Sequence, residues 1–178
     1  MLGVPWCTAA VTASPYPPTV SASAVYAAED QWSGVLDRGG VVDFFGSRFD
    51  VPMQRRFGDI ATVQAYVDVV LENPAVRTAY PEAGPISVTA SRSRTRAVYL
   101  PESRTIQLPG ALWAGRESVV LHEVSHHLAC SDGLAPARTS GRWHGAEFRA
   151  AMDVVVTCML GEPAALLLRA GYDAAGVR

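Results

Sequence analysis

The chain contains no lysine; all 15 basic residues are arginine, and with 17 acidic residues they leave a net charge of −2. A field of that size and sign does not concentrate nucleic acid or an anionic membrane, so generic DNA binding and electrostatic membrane attachment are disfavoured. Cysteine is scarce. Cys7, Cys130 and Cys158 form neither a CxxC pair nor a recognisable disulfide framework, which excludes a four-cysteine zinc ribbon and points to a reducing cytoplasm. Long apolar runs are also missing, and without roughly 18 consecutive apolar residues no transmembrane helix is expected. The first 28 residues carry no charge but hold Pro5, Pro15, Pro17 and Pro18, a composition unsuited to a packed helix. Residues 1–24 therefore read as a disordered leader. Ala22-Ser23-Ala24 imitates a signal-peptidase site, but no basic segment precedes it.

What is present is ordinary for one globular domain over residues 25–178: hydrophobic residues make up 49% of the chain and charged residues 18%. A helix is predicted over Val25 to Leu36, closed by Gly39-Gly40, followed by a hairpin of Val41 to Phe45 and Arg48 to Val51 around Gly46-Ser47. Asp59 is a good N-cap for a second helix whose Ile60, Val63, Val67, Val70 and Leu71 recur at helical spacing until Asn73-Pro74. Ile86 to Ala90, Ala97 to Leu100 and Thr105 to Leu108 predict three antiparallel strands. Three helices follow: Arg116 to Cys130, His144 to Leu160 closed by Gly161, and Pro163 to Ala170 closed by Gly171. Strands first and helices afterwards make the expected class α+β, with a small antiparallel or mixed sheet packed on helices. Ser131 to Arg142 is the one long loop of this half.

The chemistry is concentrated in Leu121-His122-Glu123-Val124-Ser125-His126-His127-Leu128, which contains HExxH on a helix with apolar residues at 120, 124 and 128. Residues i and i+4 lie one turn apart, so His122 and His126 can present both imidazoles to one Zn²⁺, with Glu123 beside it as general base. A shuffled chain of this composition yields roughly 0.004 such strings, so chance does not explain it. A catalytic zinc takes three protein ligands and keeps one open position. All four histidines lie between positions 122 and 144, and the fourth, His144, in Trp143-His144-Gly145-Ala146-Glu147-Phe148, is the favoured third ligand. Gly145 would allow a close backbone approach. Asp132 and Glu147 stay open as carboxylate alternatives, although Asp132 lacks the glycine that the HExxHxxGxxH/D pattern places where Ala129 stands. His127 is either a cleft residue or, more simply, a partly exposed flank of the helix. Tyr99, Tyr172 and several arginines could stabilise an oxyanion, none marked by position.

HExxH followed by Trp-His-Gly-x-x-Phe resembles the SprT-like branch of zincin metalloproteases. That resemblance implies a zincin-like fold, with the histidine of the second motif as third zinc ligand. Val25-Tyr26-Ala27-Ala28-Glu29-Asp30-Gln31-Trp32, Gln54-Arg55-Arg56-Phe57, Arg116-Glu117-Ser118-Val119-Val120-Leu121 and Leu168-Arg169-Ala170-Gly171-Tyr172-Asp173-Ala174-Ala175-Gly176-Val177 look like an actinobacterial family of HExxH metallohydrolases, over about Val25 to Val177.

The resulting expectation is a cytoplasmic zinc metallopeptidase acting on peptide or protein amide bonds. The alternative is a non-catalytic module in which zinc staples helices together; Cys130, one turn beyond His126, would then complete the coordination sphere. Thr105 to Leu108 is a candidate sheet edge for an extended peptide. Arg55-Arg56 and Arg92, Arg94 and Arg96 read as solvated turns rather than a DNA surface.

Overall fold

The computed structural model describes residues 21–93, 95–131 and 143–177, and within them the chain is α+β. Helix α1, Ala22–Leu36, starts three residues before the predicted Val25, so residues 22–24 of the leader expected over residues 1–24 are helical, while residues 1–20 lie outside the described residues. Strands β1, Gly40–Phe44, and β2, Ser47–Val51, form the expected hairpin. Its two-residue turn is Phe45-Gly46 rather than Gly46-Ser47, with φ of 52° and 81°, both left-handed as a tight hairpin of this length demands. Asp59 caps α2, Ile60–Glu72, by accepting from the Thr62 N–H. Asn73-Pro74 ends that helix as predicted but also opens a new one, α3, Pro74–Ala79, because proline at the first turn needs no N–H.

The three predicted strands are β3, Ser87–Ser91, β4, Val98–Leu100, and β5, Thr105–Pro109, in the order β3-β5-β4. They are not all antiparallel. β3 runs parallel to β5, and only β4 with β5 is antiparallel. The chain therefore crosses β5 after β3 and returns through a short hairpin whose corner, Arg104, has φ 47°. β5 is thus paired on both sides, which removes it as an edge for substrate. β4 takes the edge position.

Helices α4, Glu117–Ser131, α5, Ala146–Leu160, and α6, Glu162–Ala174, follow. The last runs through Gly171 instead of stopping there. That glycine faces α1: a methyl group in its place would contact the Ala28 carbonyl oxygen and Cβ at 3.6 and 3.7 Å, so the small residue keeps the two helices close. Trp32 of α1 fastens the same interface by donating its indole N–H to the Ala164 carbonyl of α6 at 2.9 Å. Val120, Leu121, Val124 and Leu128 of α4 are fully buried with Phe148, Met152, Val155 and Val156 of α5. The site helix therefore lies in the core, with α1 and α6 behind it. Among the described residues no helix is long and apolar enough to cross a membrane.

The segment before α2 positions the start of α4. Arg56 bridges Arg116 in antiparallel fashion, the Phe57 N–H donates to Gly115 O, and the Glu117 N–H donates to Arg55 O. Gln54 accepts from the Ser118 N–H, and its amide nitrogen donates to Ser33 and Asp37, tying α1 to the same corner. Glu117 is completely buried. Its carboxylate accepts from the Arg55 N–H at 2.7 Å and the Tyr66 hydroxyl at 2.5 Å and pairs with the Arg55 guanidinium. A negative charge at the first turn of α4 also suits the helix dipole. The motifs Gln54-Arg55-Arg56-Phe57 and Arg116-Glu117-Ser118 are thus one structural unit. Arg55 and Arg56 are ion-paired, to Glu117 and Asp37, rather than simply solvated.

Candidate metal centre

α4 places His122 and His126 one turn apart, and the turn that precedes α5 brings His144 to meet them. His122 Nε2 lies 3.2 Å from His126 Nε2 and 3.3 Å from His144 Nε2, and all three rings are buried. These three residues form a cluster whose ligand atoms all lie within 4.8 Å of one another, close enough to hold one metal ion. Phe148, on the first turn of α5, supports all three rings at centroid distances of 4.5 to 4.9 Å. His144 stands just before the N-cap Gly145, so the turn into α5 sets it against the ring of Phe148 on the first helical turn.

The other candidates separate cleanly. Glu147 is exposed on α5 and is outside the cluster. Asp132 falls outside the described residues, as does nearly all of the loop predicted over Ser131 to Arg142. Cys130 is half-buried, a free thiol, and no member of the histidine cluster. Gly145 has φ −69°, a value any residue adopts, so its conformation does not require glycine.

Behind the cluster lies a carboxylate that sequence reasoning missed. Glu29 of α1 accepts from His122 Nδ1 at 2.6 Å through one oxygen and from the Tyr172 hydroxyl of α6 at 2.5 Å through the other. This fixes the His122 tautomer, placing its proton on Nδ1 and leaving the Nε2 lone pair able to ligate a metal. Burial alone would lower the His122 pKa, but the charge and hydrogen bond of Glu29 outweigh it and raise the pKa. Burial and the neighbouring His122 act the other way on His126, held well below its usual range, and on His144, lowered to about 4. Both stay neutral, the state a metal ligand needs. A signal for Glu29 existed in the sequence. It occupies the same helical face as Val25, Ala28, Trp32 and Leu36, where a carboxylate is out of place unless paired.

Replacing Glu29 by Gln keeps the shape but removes the charge. Affinity for a divalent metal ion, measured by competition with a chromophoric chelator, is expected to fall about 10- to 100-fold. An affinity within twofold of the parent protein would show that Glu29 does not tune His122.

Glu123 is buried beside the cluster, near enough to the backbone N–H of Tyr99 on β4 for that dipole to favour its charged form. Burial is the main influence raising its pKa, with the charge of Glu29 adding to it, against the opposing effects of His122 and the Tyr99 N–H. His127 is neither a cleft residue nor an exposed flank. It is buried, donates Nε2–H to Gly84 O at 2.8 Å, and accepts from the Tyr99 hydroxyl at Nδ1 at 2.9 Å. It thereby anchors β4 to the helix that carries the metal cluster. Of the two tyrosines considered for an oxyanion, Tyr99 is committed to His127 and Tyr172 to Glu29.

The cluster opens on a cavity of about 700 Å³, whose wall includes Tyr26, Ala97, Val98, Tyr99, Trp113 and Trp143, with Glu123 and the three histidines. Arg96 and Arg116 also reach it, the latter paired with Asp37 at 3.1 Å. No family model matches the chain, and neither the curated proteins nor the solved structures contain a match.

Proposed function

We propose that the chain is a zinc-dependent hydrolase with a zincin-like fold of the SprT type, acting on peptide or protein amide bonds. His122, His126 and His144 would hold the metal, and Glu123 would be the general base. One observation carries the reading: three buried Nε2 atoms converge, with a carboxylate beside them, at the wall of a cavity large enough for a substrate segment.

The residues fit zinc on two counts. A tetrahedral zinc with Zn–N of 2.0 to 2.1 Å requires nitrogens about 3.3 to 3.4 Å apart, against 3.2 and 3.3 Å for the two pairs that include His122, with all three ligand atoms within 4.8 Å of one another. Three imidazoles, one of them backed by a carboxylate, also leave a coordination position for water or substrate, the donor set of a catalytic rather than a structural site.

When bound, zinc supplies a Lewis acid and lowers the pKa of water from about 15.7 toward 7. The protein then performs the proton work. Glu123 takes the proton of the attacking water and delivers it to the leaving amine, one carboxylate serving as base and then as acid. Among the described residues β4 pairs with β5 on one side only, and its Val98 and Tyr99 line the cavity, so an extended peptide could lie along this strand.

Zinc analysis of the purified protein tests the reading. About one zinc per chain is expected; 1,10-phenanthroline should abolish cleavage of a fluorogenic peptide mixture, and added zinc should restore it. Failure to retain any divalent metal after loading would end the proposal.

A further inference from the structure

Amide hydrolysis places negative charge on the carbonyl oxygen, and a donor fixed in advance at that point is worth more than one that must be organised during the reaction. We infer that the Tyr26 hydroxyl is this donor, a residue that touches substrate rather than metal. The inference rests on the hydrolase reading above.

Tyr26 is on α1, one turn before Glu29. Its ring lies nearly parallel to His122, with centroids 5.5 Å apart and planes at 25°, and meets His144 edge-on at 4.9 Å. Those contacts set its ring over the metal ligands. The residue is nevertheless 49% exposed and forms part of the cavity wall, so it is accessible to a bound molecule.

Elimination points the same way. The hydroxyls of Tyr99 and Tyr172 are committed to His127 and Glu29, whereas among the described residues the Tyr26 hydroxyl makes no hydrogen bond. Arg116 pairs with Asp37 through a terminal nitrogen, and its Nε, which has no partner among the described residues, is buried away from the surface a ligand could touch; Ser33 and Ser118 bond to each other at 2.9 Å. Arg96 is a cation on an exposed stretch, whereas Tyr26 is packed on the rings it must serve. A phenol with only two side-chain torsions is the better organised donor.

The step balances without a proton from Tyr26. The water oxygen, deprotonated by Glu123, forms the new C–O bond, and the carbonyl π pair moves onto oxygen, which accepts the Tyr26 O–H as a hydrogen bond. When the C–N bond breaks, that pair returns to rebuild the carbonyl. The amine leaves with the proton delivered by Glu123.

The test uses the full chain loaded with Co²⁺, reading the visible bands while two probes are titrated. Phenylphosphonate presents tetrahedral anionic oxygens; 2-mercaptoethanol presents a single sulfur and no oxyanion. In Tyr26→Phe, phenylphosphonate should bind about tenfold more weakly, with mercaptoethanol affinity within twofold of the parent and an unchanged ligand-free spectrum. On any peptide the parent cleaves, kcat should fall on the order of 10²-fold with KM unchanged. Phosphonate affinity within twofold, or equal weakening of both probes, would overturn the assignment and leave Tyr26 as packing for the ligands. If neither probe moved the cobalt bands of the parent protein, the open coordination position would itself be refuted, and the hydrolase reading with it.

Discussion

Turnover in Glu123→Gln is expected to fall by on the order of 10²- to 10⁴-fold while metal content stays at the parent level. Glutamine keeps the volume of the side chain and an acceptor oxygen, so the loss reports proton transfer rather than collapse of the site. Stability should hold or rise, because a buried charge is replaced by a neutral amide. The check is a steady-state rate measured beside metal analysis on the same sample. Undiminished activity would place the base elsewhere, and lost metal would make Glu123 part of the binding site instead.

His144→Ala should give the opposite pattern. Removing one of three converging nitrogens is expected to lower metal affinity by at least about 10²-fold, more than the loss of a supporting hydrogen bond, and activity should vanish at limiting metal. Glu147→Gln serves as the paired control, since that carboxylate is exposed and outside the cluster; its affinity should stay within twofold of the parent. Chelator competition followed by metal analysis separates the two. If instead Glu147→Gln lost the metal and His144→Ala kept it, the third donor would be a carboxylate.

These predictions concern residues whose placement was largely written in local spacing. His122 and His126 meet because they are four apart on a helix, and Asp59 caps α2 because the Thr62 N–H lies three residues on. His144 could be narrowed down because the chain has only four histidines. Contacts distant in sequence were not legible. Glu29 serves His122 from 93 residues away and accepts from Tyr172 143 residues away, separations that no periodicity encodes. Strand alternation marks which segments form a sheet but not their order, so the parallel pairing of β3 with β5 and the interior position of β5 emerged only from the coordinates. Gly171 misled for a related reason. Read locally it ends a helix; in the fold it is a contact residue that lets α6 pass close to α1.

Glu29 reaches the cluster from the first helix, and the hydroxyl that steadies it comes from the last. Neither helix contributes a ligand, yet peeling either one away would undo the proton arrangement that presents His122 Nε2. Cation occupancy and the docking of these two flanking helices would therefore be linked equilibria: each would favour the other, and a change that loosens the outer scaffold should be felt as weaker metal retention at the centre.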